Sequence, residues 1–153
     1  MKNSLIFTIL MLIYCSKAFG QVNVPDANFA SAIRAACPTC IDASNNLLSA
    51  AQALRILNVS SKSIASLSGI QGFTSLVELN CSYNSLTSLP TLPSSLQRLY
   101  CWNNQLTNLP TLPSSLYELN CSSNNLTTLP TIPNGMLYVT FNVNPNCFFS
   151  NLA

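Results

Sequence analysis

Residues 76–135 consist of one 20-residue unit written three times, and this stretch decides the fold. The copies are LVELNCSYNSLTSLPTLPSS at 76–95, LQRLYCWNNQLTNLPTLPSS at 96–115 and LYELNCSSNNLTTLPTIPNG at 116–135. All three fit the pattern L-x-x-L-x-C-x-x-N-x-L-T-x-L-P-x-[LI]-P without insertion or deletion. A fixed period of this kind is typical of a solenoid, in which each unit packs only on its neighbours.

The two halves of the unit predict different backbones. Alternate residues of L-x-x-L-x-C point to one side, so stacked copies are expected to pair as parallel strands about 4.8 Å apart. We expect these strands to begin near residues 56, 78, 98, 118 and 138. In the L-P-x-[LI]-P half, each proline removes a donor and restricts the residue before it, which excludes a helix. An extended, polyproline-like backbone is expected there.

An asparagine follows each regular strand at the same phase, at positions 84, 104, 124 and 144. A buried asparagine can bond the backbone groups that a turn leaves unpaired, so we expect a ladder of them. A longer first repeat spans 54–75, where Lys62 takes the asparagine position. Its predicted core residues are Leu54, Leu57, Val59, Ile64, Leu67 and Ile70.

The residues before the repeats predict an N-terminal capping region at 21–53. Pro25 and Asp26 suit a helix start, and Phe29, Ile33 and Cys37 recur at a spacing of four, which gives one apolar face. A second short helix is expected to begin near Ser49. A terminal repeat needs such a cover, because its apolar edge would otherwise meet water.

The repeat pattern resembles the leucine-rich repeat family, in particular its short 20-residue bacterial subclass with L-P-x-L-P on the convex side. The resemblance implies a mostly β solenoid, an arc with a parallel sheet on its concave side. The segment VPDANF at 24–29, followed by NVSSKSIASLSGIQGFTSL at 58–76, is similar to the opening of secreted bacterial repeat proteins. That second resemblance implies an extracellular or surface protein used in adhesion or protein recognition.

The first twenty residues predict a signal peptide rather than part of the fold. Lys2 precedes an apolar stretch at 5–14, and Ala18-Phe19-Gly20 is a small-x-small cleavage site. The apolar stretch is too short to span a membrane, which takes about 20 residues. We therefore expect a secreted or cell-surface protein whose mature chain begins after Gly20. The remaining divisions are repeats at 54–144 and an incomplete C-terminal cap or truncation point at 145–153.

The charge excludes several classes of partner. Of 6 Lys and Arg, two lie in the signal peptide, so 6 − 2 = 4 basic residues balance 4 acidic ones in the mature chain. No basic face exists to neutralise phosphates or anionic lipid, so nucleic acid is not an expected partner. With no histidine and 4 carboxylates, material for acid-base catalysis is scarce, and we expect no enzyme and no cofactor.

The cysteines fall into two groups. Cys81, Cys101 and Cys121 recur every 20 residues at an inward position, which favours small buried hydrophobic residues over a metal ladder. Cys37-Pro-Thr-Cys40 can be a redox pair, half a zinc site or a local disulfide, and a secreted chain favours the disulfide. The loop at 42–46 resembles a calcium loop only in part, since it lacks the central glycine and the terminal glutamate.

The outward positions of the strands contain the candidate binding site. The middle copy alone places Arg98, Tyr100 and Trp102 in line, where the other copies have mostly Ser, Asn or Glu. Exposed Trp, Tyr and Arg dominate binding hot spots. The remaining candidates are Glu78, Glu118, Tyr83 and Tyr138. The alternative is an ordinary polar face held by a Glu-Arg-Glu ladder.

These observations support a binding module that recognises a protein or glycan through the concave face. The alternative is a structural spacer, or a fragment of a larger secreted protein whose active domain is missing. The C-terminal end is expected to be weakly covered by Phe141, Phe148 and Phe149, so self-association is expected there, helped by Cys147.

Overall fold

The computed structural model describes residues 22–142 and 144. The expected signal peptide, and the C-terminal segment 145–153 with Cys147, Phe148 and Phe149, lie outside the described residues. The elements, in chain order, are helices α1 (Ala27–Ala36) and α2 (Ala50–Ala53), strand β1 (Ile56–Asn58), a 3₁₀ turn (Ile70–Gly72), and strands β2 (Glu78–Asn80), β3 (Arg98–Tyr100), β4 (Glu118–Asn120) and β5 (Tyr138–Thr140).

The five strands form one parallel sheet in the order of the sequence. Within the regular repeats each residue pairs with the residue twenty positions later, as Glu78 with Arg98 and Arg98 with Glu118. All five strand starts agree with the positions predicted from the repeat. The parallel solenoid with a small helix on its N-terminal side is therefore confirmed.

The core is a stack of equivalent apolar side chains. The central residue of each inner strand, the following cysteine or valine, and the leucine or isoleucine after the turn are all fully buried. In the first regular unit these are Leu79, Cys81 and Leu86. No residue from 87 to 95, or at the equivalent positions of the next two units, is helical. Leu89 and Leu92 of that segment still turn inward, so the convex side contributes to the core without a helix.

The predicted asparagine ladder is present and joins neighbouring repeats. Asn104 Nδ2 donates to the carbonyl of Cys101 in its own unit at 3.0 Å and to that of Cys81 in the preceding unit at 3.1 Å. Its Oδ1 accepts from the backbone N–H of Leu86 at 3.1 Å. Asn124 and Asn144 repeat this arrangement one and two units later. Each cysteine carbonyl therefore receives two amide donors, one from its own unit and one from the next.

The carboxylate of Asp26 joins the N-terminal cap to the first repeat, and Asn28 Nδ2 adds a bond to Ser63 O at 2.8 Å. Asp26 Oδ1 accepts from Phe29 N at 2.9 Å and caps helix α1. Asp26 Oδ2 accepts from the backbone N–H groups of Ala65 and Ser66, both at 3.0 Å. Phe29 and Ile33 on the inner face of α1 are fully buried. Asp26 thus both caps helix α1 and attaches it to the first repeat.

The cysteines lie as the sequence predicts. Cys37 and Cys40 form a disulfide with a Cα–Cα separation of 5.3 Å, just after helix α1. Cys81, Cys101 and Cys121 are fully buried in the core. Burial raises the pKa of Cys81 to about 12 and that of Cys101 well above its ordinary value. These thiols are therefore protonated at neutral pH and behave as small hydrophobic side chains.

Replacing a ladder asparagine should destabilise the whole solenoid. Asn124→Ala removes the acceptor of the buried Leu106 N–H and the amide donors to two cysteine carbonyls. We expect a loss of about 2–3 kcal/mol in the free energy of unfolding, measured by urea denaturation. The neighbouring exposed side chain supplies a matched control, since Asn125→Ala should change stability by no more than about 0.5 kcal/mol. Equal effects of the two substitutions would contradict the ladder's role.

Alkylation should separate the two groups of cysteines. In the folded protein at pH 8, Cys81 and Cys101 should resist iodoacetamide, because burial both hides the thiol and holds its pKa high. After unfolding, the same two residues should label rapidly, and Cys37 and Cys40 should label only when reductant is added. Peptide mass mapping makes the measurement. Labelling of Cys81 in the native protein would reject the buried ladder.

Candidate functional site

The candidate residues share the solvent-facing side of the parallel sheet. Register places Ile56, Glu78, Arg98, Glu118 and Tyr138 in one row across the five strands. A second row, two residues further along, contains Asn58, Asn80, Tyr100, Asn120 and Thr140. Trp102 and Tyr83 lie just past the ends of β3 and β2, and Tyr83 N donates to Trp102 O at 3.1 Å. All seven predicted side chains therefore belong to one face.

Arg98 is held by partners on both sides. Its Nε donates to Glu78 Oε2 at 2.9 Å, and its terminal nitrogen lies 2.7 Å from the same oxygen. The other terminal nitrogen donates to Tyr117 Oη at 2.7 Å. The hydrogen bond to Glu78, followed by that to Tyr117, raises the pKa of Arg98. The guanidinium is thus neutralised within the face rather than left open as a cation.

Tyr100 directs Glu118 away from the arginine. The phenol donates to Glu118 Oε1 at 3.0 Å. Burial, with this hydrogen bond as the second cause, raises the pKa of Tyr100 to about 12. The Glu-Arg-Glu ladder considered from the sequence is therefore divided into two pairs, Glu78 with Arg98 and Tyr100 with Glu118. Each carboxylate still has further acceptor capacity, because an ionised carboxylate offers about four lone-pair sites.

Trp102 and Tyr83 form an aromatic pair. Their ring centroids are 4.2 Å apart and the rings are inclined at 65°. Tyr83 has a left-handed backbone with φ of 54°, as do Ser61, Asn103 and Ser123 at the equivalent position of other repeats. A bulky residue in this conformation costs roughly 1–2 kcal/mol, whereas asparagine tolerates it. Tyr83 remains 48% exposed, so burial does not account for an aromatic residue at a strained position.

The outward asparagines present their amino groups to the face. Oδ1 of Asn80 accepts from Ser82 N at 3.1 Å and from Ser82 Oγ at 2.7 Å, and Asn58 makes the same pair of bonds with Ser60. Asn120 Oδ1 accepts from Ser122 N at 3.2 Å. Among the described residues, Nδ2 of these three side chains makes no hydrogen bond. The second row therefore offers N–H donors to solvent.

One residue of the site was missed by the sequence reasoning. Tyr117 lies in a further outward row with Val77 and Gln97, immediately before the row that contains Glu118. The repeat phase could have identified this row, because two adjacent positions of each unit precede the inward leucine. Leu137 of the same row is 71% exposed, and its neighbour Tyr138 is 65% exposed. The β5 end of the face thus exposes two large apolar side chains.

The remaining polar loop and the helices add no second site. Asp42 Oδ1 accepts from the backbone N–H groups of Ser44 and Asn46, both at 2.8 Å. These bonds to Asn46 and Ser44 lower the pKa of Asp42. Within residues 22–142, no group of three or more His, Cys, Asp or Glu side chains is placed to hold a metal ion. The helices in this part of the chain are too short or too polar to cross a bilayer.

Comparison with known proteins identifies the repeat. The sequence profile of the Leucine Rich Repeat family matches residues 75–96. No curated protein sequence gives a significant match. Among solved structures, YopM from Yersinia enterocolitica WA-314 is 34% identical over 61% of this chain and 21% of its own, with a TM-score of 0.55.

Two Listeria monocytogenes proteins extend the comparison. The functional domain of InlJ, which includes a cysteine ladder, is 26% identical over 84% of this chain and 34% of its own, with a TM-score of 0.66. The internalin InlF is 20% identical over 77% of this chain and 43% of its own, with a TM-score of 0.58, and supports the fold alone. The chain spans less than half the length of each of these three structures. In its repeat sequence and in its fold, the chain is similar to leucine-rich repeat proteins, and the three solved structures compared with it are bacterial.

Proposed function

We propose that this protein is a secreted or cell-surface binding module that recognises its ligand through the concave face. The site is centred on Arg98, Tyr100 and Trp102. The observation that carries the proposal is their concentration on one strand and its continuation. The equivalent positions of β2 and β4 have Glu, Asn and Ser. A solenoid presents an extended concave surface, and an anchor in its middle strand is flanked by supporting strands on both sides.

The structure of the face supports a binding role. Arg98 and Tyr100 are already oriented by Glu78, Tyr117 and Glu118, so little side-chain freedom remains to be lost when a ligand binds. Trp102 is half-buried against Tyr83 and keeps part of its ring accessible. Rigid aromatic side chains bury a large area at low cost in rotamer entropy. These groups suit recognition, and no catalytic role is proposed for them.

Export to the cell exterior is the second part of the proposal. It rests on the signal peptide expected at residues 1–20, with cleavage after Gly20, and on the disulfide between Cys37 and Cys40. A structural spacer that carries another domain is the alternative function. A spacer needs no specialised centre on its concave face, so the concentration of Arg98, Tyr100 and Trp102 in one repeat favours the binding module.

Removing the central aromatic residue should weaken ligand binding substantially. The exported protein, expected to begin at Gln21, would be used to capture ligands from the surroundings of the producing cell. Trp102→Ala should then lower the affinity for the captured ligand by about 2 kcal/mol, roughly 30-fold in Kd, in a calorimetric titration. The melting temperature should change little, because Trp102 lies outside the leucine core.

Thr127→Ala, at an exposed position beyond the turn, is the matched control and should leave affinity unchanged. The proposed concave site is wrong if Trp102→Ala unfolds the protein, or if ligand binding is indifferent to Arg98, Tyr100 and Trp102 together.

We also propose self-association through the end of the sheet at β5. Within the described residues β5 pairs on one side only, with β4. Tyr138 of β5 and Leu137 immediately before it are exposed apolar side chains. The opposite end of the sheet lies against helix α1. An unpaired strand with apolar neighbours is a template for pairing with another chain.

The oligomeric state tests this second proposal. Sedimentation velocity without reductant should show a mass that rises with protein concentration, and Leu137→Glu should shift the equilibrium toward monomer. Leu48→Glu introduces the same charge at a 42% exposed leucine of the N-terminal cap and should have no effect. A wild-type protein that stays monomeric at high concentration would contradict association through β5.

A further inference from the structure

We infer that the ligand of the concave face is a neutral carbohydrate, bound at the Tyr83–Trp102 ring pair and the adjoining row of asparagine amides. This inference rests on the proposed function, since it names the chemical class of ligand for the same face. Three features carry it: the direction of the amide donors, the internal neutralisation of the charges, and the aromatic pair at a strained position.

The amide row offers donors without matching acceptors. Asn58 and Asn80 are neighbours in the sheet register, and Asn120 lies beyond Tyr100 in the same row. Adjacent strands are about 4.8 Å apart, so the donors recur at the spacing of small polar groups on a ligand. In all three side chains Oδ1 is engaged by the residue two positions later, which leaves Nδ2 directed outward. An Asn→Asp substitution in this row would keep the bonds to Oδ1 but remove the Nδ2 donor.

This one-sided row favours sugar hydroxyls over a peptide backbone. An extended peptide presents both C=O acceptors and N–H donors, and each buried N–H needs an acceptor of its own. Asn58 and Asn80 supply none, because each Oδ1 already accepts two hydrogen bonds. A hydroxyl group can accept from an asparagine N–H and direct its own proton to a carboxylate or to water. Glu118, beside Tyr100, has acceptor capacity for such a proton.

The charges of the face are balanced before any ligand arrives. Glu78 and Arg98 form an ion pair at 2.7 Å, and Arg98 also binds Tyr117. Glu118 accepts from Tyr100, and Arg55 is exposed immediately before β1. The two glutamates and two arginines of the face thus sum to zero net charge. A neutral ligand is indifferent to this balance, whereas an acidic one would meet the carboxylate of Glu118, whose partner Tyr100 is a neutral phenol.

The aromatic pair supplies the apolar contact that a sugar ring needs. The C–H groups of a pyranose carry partial positive charge and pack on the negative face of an aromatic ring. The 65° inclination of Tyr83 to Trp102 gives two differently oriented rings close to the amide row. Ser61 and Ser123 show that the left-handed position of Tyr83 suits a small residue in this fold. Strain of this kind is concentrated at ligand-binding positions.

The single tryptophan of the chain makes the site directly observable. The mature protein would be titrated with a panel of soluble neutral oligosaccharides (gluco-, manno-, xylo-, galacto- and N-acetylglucosamine oligomers) while the emission of Trp102 is recorded. At least one series should shift the emission in a saturable manner. Acidic oligosaccharides of the same length, such as oligogalacturonate, should bind at least tenfold more weakly.

Two variants locate the binding without threatening the fold. Tyr83→Ser installs the residue that the first and fourth repeats have at this position, so the melting temperature should hold or rise while affinity for the sugar falls at least tenfold. Asn80→Asp keeps the Oδ1 bonds to Ser82 and removes the Nδ2 donor, and affinity should again fall about tenfold. Asn108→Asp adds the same charge at an exposed residue after the turn and should leave affinity unchanged.

The outcomes separate this inference from the proposed function. If no neutral oligosaccharide shifts the emission, but a captured protein ligand is weakened by Trp102→Ala, the carbohydrate inference is overturned and the concave binding site stands. A sugar that binds with equal affinity to wild type, Tyr83→Ser and Asn80→Asp does not use the ring pair and the amide row, and it overturns the carbohydrate inference; Trp102→Ala then decides the concave site. Preference for the acidic oligosaccharides overturns the neutrality on which the inference depends.

Discussion

The asparagine that follows each regular strand is the interaction on which the rest of this structure depends. Its amide nitrogen bonds the cysteine carbonyl of its own unit and that of the preceding unit, while its oxygen accepts an N–H of the preceding unit. One side chain therefore satisfies backbone groups that a tight turn would leave unpaired in the core. It also sets the distance between units. A repeat without this residue would have to close its turn and find its neighbour by separate means.

The asparagine ladder fixes the positions of the side chains on the concave face. Because the turns are fixed, outward positions of successive units stay in register, and a side chain changed in one unit always meets the same neighbours. The outward side chains depart from the repeat pattern mainly in the middle unit. The middle unit has Arg98, Tyr100 and Trp102 where its neighbours have Glu, Asn and Ser. The two neighbouring units supply their contacts, which are Glu78, Tyr83, Tyr117 and Glu118. The regular repeats thus hold one cluster of side chains that does not follow the repeat pattern.

Features that recur with the 20-residue repeat can be predicted from the sequence, whereas the hydrogen-bond partners of side chains on neighbouring strands cannot. Strand starts, the asparagine ladder, the buried cysteines and the disulfide all follow from residue type and phase. The choice of Tyr100 rather than Arg98 as the donor to Glu118 does not, because Arg98 lies directly opposite Glu118 in the register and only side-chain direction selects the more distant Tyr100. The outward direction of the Asn80 amino group is likewise invisible until the bond from Ser82 to its oxygen is seen. The candidate binding residues are placed together, yet their ligand stays a proposal.

The extended convex side has a consequence for the shape of the face. Helices on that side would stand about 8–10 Å apart and force a sheet with strands about 4.8 Å apart into a strong curve. Here both sides are extended chain, with residues 87–95 and their equivalents free of helix, so their natural spacings are alike. Little curvature is therefore imposed, and five strands offer a shallow surface about 20 Å across. Such a surface suits a long, flat ligand that lies over several strands more than a compact one that must be enclosed.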